Sequence, residues 1–152
     1  MLNKGKAGQL ASHMLKRLER DVLSAKPHLV LWQTGVNDAI RGVDPKIFRK
    51  NVEDGLRLMK DQGIDVVLVD QQFYPGSSKV SAYDDYLKLL HEIGEQYSVP
   101  VFRRYQLMSY LVSSSQYKLQ ALLAPDKFHQ NDVSYDCLGQ VLGDALQISL
   151  IQ

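Results

Sequence analysis

Lys26-Pro27-His28-Leu29-Val30-Leu31-Trp32-Gln33-Thr34-Gly35-Val36-Asn37-Asp38 is the stretch on which the reading of this chain turns. Pro27 ends whatever precedes it, and the apolar run from His28 to Gln33 has the length and composition of a short, largely buried strand. Thr34 to Asp38 then reads as a turn. Glycine at 35 permits a tight turn and leaves room for a substrate beside the backbone. Asn37 can offer its side-chain amide to an oxygen on which negative charge develops. Gly, Asn and Asp also make turns after strands of every kind, so these residues alone support both readings.

Upstream, Leu10, Met14, Leu15, Leu18, Val22 and Leu23 recur at helical spacing, which predicts a helix from Gly8 to about Ser24. Downstream, Asp44-Pro45 is an N-cap followed by proline at the first helical position. Ile47, Phe48, Val52, Leu56 and Met59 form the apolar stripe of that helix, and Gly63 stops it. Ile64 to Asp70 is a β-branched strand, Tyr83 to Tyr97 a helix and Val99 to Phe102 a last short strand. Helical pieces follow at Tyr105–Val112 and Tyr117–Leu122, and a closing helix begins near Ser134. Alternation of helix and short apolar strand predicts an α/β fold, a parallel sheet with helices on both faces, in one domain over residues 1–152. Such sheets bind ligands beyond the carboxyl ends of their strands, where the loops after Gln33 and Asp70 lie.

Composition narrows the function classes. A net charge of +1 without a basic run argues against a nucleic-acid partner. Apolar stretches are too short to cross a bilayer. The single cysteine, Cys137, excludes an internal disulfide and a cysteine zinc cluster, and reads as a small buried residue of the last helix. No residues have metal-ligand spacing, and no phosphate-binding loop is spelled out, so neither metal nor organic cofactor is implied. Met1 to Lys6 lack the apolar core of a secretory signal. The default location is therefore cytoplasmic, with a periplasmic or secreted fate open to an upstream segment.

Two further stretches carry chemistry. Asp126-Lys127-Phe128-His129 lies on a polar loop before the last helix, and an aspartate three residues before a histidine can fix its tautomer and stabilise the imidazolium. With four histidines and many aspartates in the chain, a solvated loop pair is the competing reading. Asn3-Lys4-Gly5-Lys6-Ala7-Gly8 precedes the first helix, where a backbone N–H can donate to an anion or the terminus can simply fray.

Their order resembles the SGNH (GDSL-type) hydrolases, a family defined by four short blocks bearing Ser, Gly, Asn and His in that sequence. Gly35-Val36-Asn37-Asp38 is similar to the third block, Asp126-Lys127-Phe128-His129 to the last, and Asn3 to Gly8 more loosely to the second, where Gly5 rivals Gly8. The resemblance implies a three-layer α/β/α, flavodoxin-like fold. It implies Gly8 and Asn37 as oxyanion-hole donors, His129 as general base, Asp126 as its orienting acid, and Gly35 and Asp38 beside the substrate, a small-molecule ester. The first block, a Gly-Asp-Ser-type turn after the first strand, would precede Asn3. Ser12, Ser77, Ser78 and Ser113 to Ser115 do not replace it, and there is no Gly-x-Ser-x-Gly elbow.

The expectation is thus an incomplete SGNH domain that lacks its first strand, with Met1 standing inside the second strand of a longer natural chain. The strand at His28–Gln33 should then show an unpaired edge. The chain alone should be close to inactive, because loss of a triad member leaves only a residual advantage of roughly 10³–10⁴ over water. The competing class is a non-catalytic α/β module that binds a ligand or partner at the Gly35–Asp38 end and needs neither His129 nor a serine.

Overall fold

The computed structural model describes residues 1–151, with side chains as far as Gln147. They fall into two compact units. The first comprises Met1–Gln71 and Val80–Val101, the second Gln72–Lys79 and Phe102 onward.

The first unit is built on strands β1 (Leu29–Gln33) and β2 (Asp65–Val69), paired in parallel with Leu29 opposite Asp65 and Gln33 opposite Val69. A two-residue strand, β3 (Val101–Phe102), extends the sheet in the order β1-β2-β3, giving three parallel strands flanked by helices. The α/β expectation is met.

The long helix α4 (Pro45–Asp61) forms where the cap and stripe predicted it. The Asp44 carboxylate accepts the Lys46 N–H at 2.7 Å, and Pro45 occupies the first turn, where its missing N–H costs nothing. Phe48, Val52, Leu56 and Met59 are fully buried, whereas Ile47 at the start of the expected stripe is 55% exposed. It stands one residue before Phe48 and five before Val52, about 100° and 140° round the helix from them, which turns it away from the buried side. Helix α5 (Tyr83–Tyr97) buries Tyr83, Tyr86, Leu90 and Ile93. α4 packs on α5 and on β2, and the Trp32 ring lies on Gly55, where a Cβ would run into it.

Three expectations change. The single helix from Gly8 to Ser24 is broken into α1 (Ala11–Lys16), α2 (Leu18–Asp21) and a 3₁₀ turn at Leu23–Ala25. Arg17 interrupts it with non-helical backbone, and its guanidinium is held by Gln9 at 2.7 Å and Asp21 at 2.9 Å. The turn after β1 winds directly into a short helix, α3 (Val36–Ile40), with Gly35 as N-cap. And β1 is only half buried: Trp32 points inward, while Leu29 and Leu31 are 39% and 42% exposed. β1 stands at the end of the strand order, so among the described residues its outer edge is unpaired, as expected.

In the second unit, α6 (Arg104–Ser113) and a 3₁₀ turn at Leu119–Leu122 lead to the Asp126 loop and to α7 (Asp132–Ile151). α7 begins two residues before the expected Ser134, because the Asn131 side chain accepts the Ser134 N–H at 3.0 Å and caps it there. Cys137 on α7 is half-buried.

Candidate functional site

In the first unit the candidate residues gather around the start of α3. Gly35 sits at φ 99°, a conformation that side chains other than glycine avoid. A Cβ there would also lie 3.3 Å from both Gln71 Nε2 and Phe48 Cζ, so torsion and space both call for glycine. The turn aims two successive side chains at the start of α1 and the residues just before it. Asn37 Nδ2 donates to the Gln9 carbonyl at 3.0 Å, and the Asp38 carboxylate accepts the Ala11 N–H at 3.1 and 3.2 Å.

The second bond has a local cause. The N-cap of α1 is Leu10, which has no side-chain acceptor, so a helix terminus that must be satisfied takes its acceptor from Asp38, 27 residues away. Asp38 is 1% exposed. Burial raises its carboxyl above the ordinary carboxylate range, opposed by the bond from Ala11. The structure uses Asp38 as the clasp of α1.

Of the two rival glycines, Gly8 has φ 69° and adjoins Gln9, the residue that Asn37 holds. The Gly5 N–H is taken by its neighbour Asn3 at 2.9 Å.

In the second unit the Asp126 loop forms the pair that the spacing suggested. Asp126 Oδ1 accepts the backbone N–H groups of Phe128 and His129, each at 2.9 Å, while Oδ2 meets His129 Nδ1 at 2.6 Å. One carboxylate therefore fixes both the turn and the ring. Lys127, at φ 58°, supplies the left-handed step that closes it. The imidazole bond first, then the two backbone N–H groups, lower the Asp126 carboxyl to about 2. An imidazole whose Nδ1 faces a carboxylate carries its proton there and leaves Nε2 as the basic nitrogen. Both side chains are about half exposed.

The loop is braced from within its own unit. The His129 carbonyl accepts the Ala124 N–H at 2.8 Å, and Gln72 Nε2 donates to the Phe128 carbonyl at 2.9 Å. The Phe128 ring stands edge-on to His129 at 4.7 Å and to Tyr74 at 4.8 Å. Tyr135 is 50% exposed.

Sequence reasoning missed a second carboxylate–imidazole pair, Asp70 Oδ2 with His91 Nε2 at 2.9 Å, joining the end of β2 to α5. Twenty-one residues separate the partners, and only the folded chain brings them together. Among the described residues no group of His, Cys, Asp and Glu could hold a metal, and no helix is long and apolar enough to cross a membrane.

A parallel α/β core with an asparagine turn after one strand and an Asp-x-x-His loop before the last helix defines the class of SGNH-type ester hydrolases. Within that class the chain belongs to the Non-GDSL lipase-like family, whose profile matches residues 1–150. It is 33% identical over 92 residues to an arylesterase of Vibrio mimicus, a match covering 59% of this chain and 46% of that one. The chain thus spans less than half the length of that curated relative. Among solved structures, a lipase/acylhydrolase from Enterococcus faecalis is 25% identical with a TM-score of 0.73, over 89% of this chain and 69% of its own. A lipolytic protein of the G-D-S-L family from Desulfitobacterium hafniense shares the fold at 21% identity and a TM-score of 0.77, over 91% and 77%.

Proposed function

We propose that this chain supplies the oxyanion-binding and proton-transfer parts of a serine ester hydrolase, the nucleophilic serine lying outside it. The Asp126–His129 pair carries the reading, because a carboxylate already held by two backbone N–H groups presents the imidazole in one tautomer. In this mechanism His129 Nε2 takes the proton as the serine Oγ attacks the ester carbonyl. The Gly8 N–H and the Asn37 side chain donate to the oxyanion of the tetrahedral intermediate. An amide has two N–H bonds, and the Gln9 carbonyl uses one of those on Asn37. His129 then returns its proton to the leaving alcohol, and water activated at the same nitrogen releases the acid. Gly35 gives the substrate access to the backbone of the turn, and Asp38 acts one step behind, by fastening the Gln9–Ala11 segment.

Loss of one oxyanion donor costs about 3–4 kcal/mol in the barrier. The Vibrio arylesterase makes aryl esters the substrates to test first. In an assay on p-nitrophenyl acetate, the chain alone should run close to the uncatalysed rate, and a form extended to include the serine should turn over. His129→Ala in the extended form should abolish that activity. An unchanged rate in the His129→Ala protein would sink the assignment.

A further inference from the structure

Beneath the turn that carries Asn37, three polar side chains are buried without any hydrogen-bonding partner. Gln71 is fully buried, with Nε2 and Oε1 both unpaired. Thr34 is 3% exposed with Oγ1 unpaired, and Tyr86 is fully buried with its hydroxyl unpaired. Thr34 and Gln71 both border Gly35, the one through the peptide bond and the other by packing its carboxamide against the glycine. Phe48 also touches Gly35, and its ring lies tilted against that of Tyr86 at 5.0 Å.

Such a layer is not explained by packing. Apolar residues of similar shape would fill the same space without the penalty of desolvated, unsatisfied donors and acceptors. A carboxamide asks for an acceptor and a donor together, and a threonine hydroxyl can serve as either. The guest that answers both is small, neutral and able to donate and accept, which describes water. Buried polar groups that would otherwise be unpaired are commonly satisfied by internal water, which makes about three hydrogen bonds to them.

We infer that Thr34 and Gln71 form a seat for internal water beneath Gly35, and that this water holds the peptide planes from Gly35 to Asn37 in place. Thr34 and Gln71 are then positioning residues for Asn37, a role that rests on the oxyanion function proposed for that side chain. The seat itself does not depend on it.

The full chain tests the seat by NMR. Cross-relaxation from water to the Gln71 side-chain amide protons should be observed. Gln71→Met and Thr34→Val should each lower the melting temperature and shift the Asn37 side-chain amide signals, while Thr34→Ser, which keeps the hydroxyl, preserves both. If the groups are simply unpaired, removing their polarity relieves a penalty and the melting temperature rises. An unchanged or higher melting temperature in Gln71→Met or Thr34→Val, or the lack of any water signal at Gln71, overturns the inference. Should Gln71→Met fail to fold, the Thr34→Val and Thr34→Ser comparison and the wild-type spectrum still decide. Ester hydrolysis is not among these readouts, so the seat and the proposed reaction fail separately.

Discussion

Asp126 holds three hydrogen bonds with two oxygens, and its acidity follows from them. A carboxyl lowered from 3.8 to about 2 favours the folded loop at every pH above its ordinary value, and that support is lost as pH falls through about 2. The Phe128 and His129 amide signals should accordingly move or broaden as pH falls through about 2, not near the ordinary carboxylate value. Asp126→Asn keeps an oxygen for the backbone N–H groups but turns the second position into a donor, which reverses the imidazole tautomer. In the extended enzyme that should cost on the order of 10⁴-fold in kcat, with the tautomer read from the ring nitrogen shifts. Asp38 behaves oppositely. Its carboxyl is raised by burial, so its contribution is greatest below the ordinary carboxylate value and declines as pH rises through the raised one. Asp38→Ala strands the fully buried Ala11 N–H and should cost about 1–3 kcal/mol by urea unfolding. Asp38→Asn, which keeps an acceptor, should cost less, and its disadvantage should shrink as pH rises. The Asp126–His129 pair was legible in the sequence because its three-residue spacing is closed by one turn. The Asp38–Ala11 bond and the Asp70–His91 pair were not, since each joins distant positions that only the packed fold brings together.

At the scale of elements, α4, α5 and β2 could be read from the sequence almost to the residue. Each carries its own period, and α4 carries its own cap. The errors fell where local and tertiary demands compete. The Gly8–Ser24 periodicity survives in the apolar positions, but Arg17 leaves helical geometry to meet Gln9 and Asp21. Gly35, Asn37 and Asp38 suggest a turn. In the fold Gly35 absorbs the sharp change of direction alone, which frees the next five residues to be helical. The apolar run of β1 predicts a largely buried strand, yet it alternates in exposure as a strand with one covered face does. Its outer edge, with Leu29 and Leu31 beside it, is a template for further strand pairing. Leu31→Lys should reduce self-association measured by sedimentation while leaving the unfolding midpoint nearly unchanged, because Leu31 contributes little to the interior. A large loss of stability would show that Leu31 is covered in solution.

For the molecule as a whole, the membership that matters is that of a lipase-like family, recognisable from the order of short blocks more than from any one of them. Net charge offers little protection against association. It is +1 at pH 7, and the isoelectric point is near 7.8. With an apolar edge exposed, solubility should be lowest close to pH 7.8 and improve as pH falls toward 6. Light scattering across that interval checks it. A flat profile would mean that charge is not what limits association.

The paired grip of Asn37 on Gln9 and of Asp38 on Ala11 reaches beyond stability. Two neighbouring side chains rivet the glycine-bearing segment to the asparagine turn, so the two proposed oxyanion donors travel together as one rigid part. Their spacing can then be retuned from a distance. Substitutions where α1 rests on α4 would tilt the segment and change the aperture between the donors without altering either of them. The proposed oxyanion site would then be adjustable from the α1–α4 contact, away from Gly8 and Asn37 themselves.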